Sequence, residues 1–104
     1  GGRIVNVIAR PAIEPTGGML AYSTSKAAVA SLTQCLAKEV VDDGILVNAV
    51  APSIMDTPAN RAAMPDADFD AWPKVEEVAR TMVWLASPAN ALTTGTLVPV
   101  YGRS

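Results

Sequence analysis

The sequence predicts an α/β fold: a parallel sheet layered by helices, in the order strand, helix, strand, helix, strand. Two observations carry this. Short β-branched runs alternate with longer helical patterns. Each connecting segment is also long enough for a right-handed crossover between parallel strands. The middle run, Ile45 to Ala51 (ILVNAVA), is almost continuously apolar rather than alternating. Strands covered on both faces read this way.

Arg3 to Ile8 (RIVNVI) reads as the first strand, a short β-branched run. Ala9 to Gly18 contains Pro11, Pro15, Gly17 and Gly18, so it reads as a loop. Met19 to about Asp42 is the longest helical pattern. Val29, Leu32, Leu36 and Val40 recur at helical spacing, and no Gly or Pro interrupts them. Asp43-Gly44 ends it. After the Ile45–Ala51 strand, Pro52 stops the ladder. Residues 53 to 72 read as irregular, with one short helical turn near Ala59 to Ala63. A second helix is expected from about Lys74 to Ala86. Val75, Val78, Ala79, Met82, Val83 and Leu85 form its apolar side, and Glu76 and Glu77 complement the dipole of its first turn. Thr96 to Val100 reads as the third strand. Pro99 lacks a donor there, which places it at a sheet edge or a strand end.

Composition narrows the functional classes. Half of the 104 residues are hydrophobic, and the formal net charge is −2 with no basic block. Nucleic-acid binding therefore has no electrostatic support. With no His and one Cys, most transition-metal sites are excluded. Cys35 lies in an apolar helical pattern and is expected to be a buried small hydrophobe. A lone Cys fits a reducing compartment, and a cytoplasmic location is expected. Asp66, Asp68 and Asp70 read as a solvated loop. No apolar run approaches the roughly 20 residues that span a bilayer, and no signal peptide is visible. The chain opens Gly1-Gly2-Arg3 and enters a strand at once, which reads as a piece of a longer protein.

Tyr22 and Lys26 stand four apart at the start of the long helix, on one face and one turn apart. A phenol titrates near pH 10. A neighbouring ammonium favours the phenolate and draws that value down. Bringing it to neutrality takes about 4 kcal/mol, the usual tuning of a general acid. Such a pair also occurs by chance on helix surfaces, so its context decides its meaning.

That context is Y-S-T-S-K-A-A-V opening a helix after a strand and a glycine-bearing loop. ILVNAVAP follows, and Thr57-Pro58 stands beyond Pro52. The combination resembles the short-chain dehydrogenase/reductase family over nearly the whole chain. The resemblance implies the C-terminal half of a doubly wound, Rossmann-like parallel-sheet domain, with the N-terminal dinucleotide-binding half absent. It implies that Tyr22 is the general acid/base. It implies that Lys26 lowers the tyrosine pKa and binds the nicotinamide ribose, while Pro52, Met55 and Thr57 hold the nicotinamide of NAD or NADP. Ser53 stands where the family usually has Gly. The family also implies a homodimer or homotetramer in the full-length protein. Ala21, Ser25, Ala28 and Leu32 form a mostly small-residue stripe suited to close helix packing.

The family's catalytic serine would fall at Ala9, thirteen residues before Tyr22. In the ordinary mechanism that hydroxyl steadies the charge developing on a substrate carbonyl. The run from Asp56 to Trp72 (DTPANRAAMPDADFDAW) resembles the substrate loop of dihydropteridine reductases, as does Pro15 to Tyr22. That branch also carries alanine at the serine position and reduces a quinonoid dihydropterin. Phe69 and Trp72 could contact an aromatic substrate or simply anchor the loop.

Three readings follow. The first is an NAD(P)H-dependent reductase of a flat conjugated small molecule. The second is an ordinary carbonyl or alcohol dehydrogenase with another donor in the serine's place. The third is an inactive piece serving only in association. The seven glycines include no phosphate-binding spacing, so this stretch by itself should bind a dinucleotide poorly. Its first strand should also leave one edge unpaired.

Overall fold

The computed structural model describes all residues, Gly1 to Ser104. Three parallel strands form one sheet: β1 (Gly2–Val7), β2 (Ile45–Pro52) and β3 (Leu97–Val100), in the order β1-β2-β3. Gly2 pairs with Ile45 and Val7 with Val50, while Ala49 pairs with Leu97 and Pro52 with Val100. The continuous apolar run is therefore the central strand. Val47 to Pro52 are all buried, because both faces and both edges of β2 are covered. Pro99 lies on the edge strand β3 opposite Ala51, where a missing donor interrupts only one ladder.

Four helices complete the fold: α1 (Arg10–Ile13), α2 (Leu20–Val40), α3 (Pro58–Ala63) and α4 (Val75–Ala86). α2 ends in a 3-10 turn (Val41–Asp43) closed by Gly44, whose φ of 73° suits a residue without Cβ. α4 begins where the Lys74 N–H donates to Glu77 Oε1 at 3.2 Å. α3 begins where the Thr57 hydroxyl accepts from the Asn60 N–H at 3.2 Å. Both are local side-chain caps of otherwise unpaired helix groups.

α2 and α4 lie on opposite faces of the sheet. Strand side chains alternate: Asn6 reaches Thr33 of α2 at 3.0 Å, whereas Arg3 donates at 2.7 Å to the Asn90 carbonyl just beyond α4. Both crossovers step the same way across a parallel sheet. Equal hands would put both helices on one face, so the two connections have opposite hands. The expectation of two right-handed units is corrected for one of them. The buried amides of Asn48 and Asn90 explain how the second connection is held. Asn48 Nδ2 donates to the Thr93 carbonyl at 2.9 Å, and Asn48 Oδ1 accepts from the Thr96 N–H at 3.1 Å. Asn90 Nδ2 donates to the Leu85 carbonyl at 3.1 Å. Buried polar groups are stable only when paired, so these contacts set the return path into β3.

The packing differs from the sequence pattern in four places. The buried face of α2 is Ala30, Thr33 and Ala37, while of the Val29–Leu32–Leu36–Val40 stripe Val29 packs at the margin of the core and Leu36 and Val40 are half-buried. Leu32 is 54% exposed. Small side chains let α2 sit close over Ala49 and Ala51 of β2, with Ile8 completing that core. Thr33 is tolerated there because its hydroxyl donates to the Val29 carbonyl and accepts from Asn6. Cys35, on the far side of the helix, is exposed rather than buried. In α4, Val78 and Leu85 are buried, while Val75 and Val83 face outward. Residues 10 to 13 form a helical turn within the expected loop, because Pro11 stands in the first turn, where a missing N–H is harmless.

Candidate active site

Parallel strands end on the same side, so the segments after β1 and β2 share one rim. Crevices at the carboxyl ends of such strands are where ligands bind in open α/β sheets. Ile8 continues β1, its N–H donating to the Val50 carbonyl at 2.8 Å. It delivers Ala9 and α1 to that rim. β2 ends at Pro52 and delivers Ser53 and Ile54. The first turn of α2 carries Tyr22 to the same place.

These elements enclose an open cavity of about 330 Å³, lined among others by Ala9, Arg10, Tyr22, Pro52, Ser53 and Ser104. Tyr22 is 46% exposed. Lys26, one turn on, holds its Nζ 5.9 Å from the centre of the Tyr22 ring and 3.5 Å from the Val7 carbonyl. No carboxylate pairs with it. Two of the five site residues expected from the sequence, Tyr22 and Pro52, are therefore in the cavity wall, and Lys26 stands beside it. Met55 and Thr57 follow on the same segment but lie outside the lining. The Met55 carbonyl accepts from Asn60 Nδ2 at 2.8 Å, and the Thr57 hydroxyl caps α3.

The other eight lining residues stood outside the sequence's site set, and Arg10, Thr16, Ser53 and Ser104 are the polar ones among them. Arg10 carries the one charged side chain in the wall. Its signal was only its place directly after Ala9. Ser53 and Ser104 add hydroxyls whose oxygens lie 2.6 Å apart, and each donates to the Tyr101 carbonyl. Ala9 itself is buried and supplies no donor.

The Asp56–Trp72 run is held by a cluster the sequence did not reveal. Asp56 accepts from Arg61 Nε at 2.6 Å, from the second Arg61 nitrogen at 2.8 Å and from Lys74 Nζ at 2.6 Å. Lys74 also donates to the Phe69 carbonyl. The Asp56 N–H reaches the Pro73 carbonyl at 2.9 Å, so the excursion is closed at its base. Hydrogen bonds from Arg61 and then Lys74 hold the Asp56 carboxyl well below the usual carboxylate range. The Arg61 guanidinium lies 4.6 Å from the Phe69 ring centre, and Phe69 packs 5.1 Å from Trp72. Trp72 is buried and anchors the run on the core. Asp66, Asp68 and Asp70 are exposed, as a solvated loop should be.

A family model described as enoyl-(acyl carrier protein) reductase matches residues 1–102. L-xylulose reductase of Caenorhabditis elegans is 35% identical over 97% of this chain and 44% of its own length. Dihydropteridine reductase of Dictyostelium discoideum is 37% identical over 100% of this chain and 46% of its own length. The chain belongs to the short-chain dehydrogenase/reductase family. Among solved structures, acetoin dehydrogenase from Enterobacter cloacae superposes with a TM-score of 0.85 at 37% identity, over 98% of this chain and 42% of that one. The chain thus spans less than half the length of these relatives. It carries the Rossmann-like α/β architecture of that family's structures. No helix is long and apolar enough to cross a membrane.

Proposed function

We propose that the full-length protein is an NAD(P)H-dependent reductase in which Tyr22 donates the proton and Lys26 assists it. Its substrate is a flat conjugated small molecule of the quinonoid dihydropterin kind. The observation that carries this reading is the composition of the cavity wall. Tyr22 and Pro52 line one cavity with Ala9, which stands at the serine position without a hydroxyl. The substrate class rests on Ala9 and on the Asp56–Trp72 run; a dihydropteridine reductase is among the relatives at 37% identity, as is a 3beta-hydroxysteroid dehydrogenase. Bound nicotinamide coenzyme would supply the hydride. The residues present fit it: Lys26 carries ammonium donors free of any carboxylate, suited to ribose hydroxyls, and Pro52 and Ser53 line the cavity at the end of β2. In this reading Met55 and Thr57 contribute from the segment that follows. The exposed face of Ala21, Ser25, Ala28 and Leu32 is the surface through which the full-length chain would pair with a second copy.

The reading is tested by steady-state reduction of a quinonoid dihydropterin by the full-length protein beside its Tyr22→Phe variant. Loss of turnover in the variant is expected. Undiminished turnover removes Tyr22 from the mechanism.

A second reading, reduction of an ordinary carbonyl, draws on Ser53. Ser53 lines the cavity, and its hydroxyl would stand in for the absent serine by turning from the Tyr101 carbonyl to the substrate. Carbonyl reduction should then fall in Ser53→Ala and rise in Ala9→Ser. If neither variant changes activity on a carbonyl panel, this reading fails.

A further inference from the structure

We propose that Arg10 selects the substrate of this site, presenting a fixed guanidinium fork to a neutral planar ring edge that carries two adjacent acceptors. The proposal rests on the reductase reading above and deepens it.

Arg10 carries the sole charged side chain in the cavity wall. A surface arginine ordinarily samples many rotamers, but this one is held on two sides. Its Nε donates to Glu14 Oε2 at 2.6 Å, and its guanidinium carbon lies 4.5 Å from the centre of the Tyr101 ring. Burial, and then the Glu14 charge, push the Tyr101 phenol above its ordinary value, and its ring holds the guanidinium by a cation–π contact. The Nε contact leaves the end of the guanidinium, two parallel N–H donors, for a ligand. That fork matches two acceptors side by side.

The charge balance then chooses among ligands. A free carboxylate would also fit the fork geometrically. Glu14, however, already neutralises Arg10 at 2.6 Å, so an incoming anion would meet the Glu14 carboxylate nearby. A neutral edge, such as a ring carbonyl oxygen beside an unprotonated ring nitrogen, gains the two hydrogen bonds without that repulsion. Ala9 cannot contribute a donor at this wall, and Arg10 is the next residue in the chain.

The test uses the full-length protein with Arg10→Met and Arg10→Lys. One substrate is a quinonoid dihydropterin, and the other is a simple conjugated quinone lacking the two-acceptor edge. Arg10→Met should raise KM for the pterin by roughly 10- to 100-fold, as expected for a charged hydrogen bond removed, with kcat within about twofold. Its KM for the quinone should not move. Arg10→Lys should rescue little, because an ammonium is a point charge without the fork. An unchanged pterin KM in Arg10→Met, equal losses on both substrates, or full rescue by lysine would each overturn the proposal.

A separate arm measures the dissociation constant of a fully oxidised pterin by fluorescence quenching. A weaker Kd in Arg10→Met supports the proposal even if no turnover is seen, in which case only the reductase reading fails. Equal Kd values overturn it.

Discussion

Two polar clusters flank the cavity end of the sheet, and they differ in how completely their members are paired. At Asp56 the pairing is nearly complete. Both carboxylate oxygens receive cationic donors, Lys74 has a second acceptor, and Arg61 lies against an aromatic ring. At the cavity it is incomplete. Lys26 has one long contact to a backbone carbonyl, Arg10 uses one edge of its guanidinium, and Tyr22 stands half open. A cluster that fills its own hydrogen-bonding capacity fixes the chain. A cluster that leaves capacity around a cavity can bind and react. The family resemblance alone would not separate the two, because both carry the residue types expected of a site.

The largest effect that sharpens this contrast is at Tyr22. Tyr22→Phe in the full-length protein should lower kcat by about 100- to 10,000-fold, the range of a positioned general acid. Its thermal midpoint should stay within error, since the side chain is half exposed. A large loss of stability would show that the open cluster also carries the fold.

The converse is expected at Asp56. Asp56→Asn leaves Arg61 and Lys74 facing each other without their shared anion. A fall of several degrees in Tm is expected by circular dichroism, with kcat less affected than in Tyr22→Phe. The pH dependence has a definite sign. The folded carboxyl lies below its ordinary value, so its contribution is present above about pH 4 and is lost as pH falls further. The Tm difference between wild type and Asp56→Asn should therefore shrink on acidification below pH 4. A difference that grows there would contradict the assignment.

Smaller effects test the edges of each cluster. Thr57→Ala removes the α3 cap and should destabilise by about 1 kcal/mol in urea unfolding. A much larger loss in turnover than in stability would place Thr57 at the coenzyme instead. Glu14→Gln breaks an exposed i,i+4 pair, so its stability change should be no more than about 0.5 kcal/mol. It should still raise KM for a pterin substrate by loosening Arg10. A variant with unchanged KM would separate Glu14 from the fixing of that guanidinium.

The fold was largely legible in the residues. β2 declared itself by an unbroken apolar run, and α2 by its length and by Gly44. Pro99 announced an edge. These are local signals, set by backbone propensity and by burial on both faces. The catalytic candidates were legible as a spacing, since Tyr22 and Lys26 share a helix face wherever that helix goes. The side of α2 that meets the sheet was not legible. Hydrophobicity favoured the larger residues, whereas close packing over Ala49 and Ala51 favours Ala30, Thr33 and Ala37. The same choice left Cys35 exposed.

What the sequence determined by itself was the order of the three strands and the two long helices, and the placing of Tyr22 and Lys26 on one face of α2. Those depend on neighbours within a few residues. Tertiary structure alone decided that the two crossovers have opposite hands, that Asp56 joins Arg61 to Lys74, and that Arg10 enters the cavity braced by Glu14 and by Tyr101. Arg10 and Tyr101 come from opposite ends of the chain, and no local pattern encodes a contact that only the closed sheet brings together.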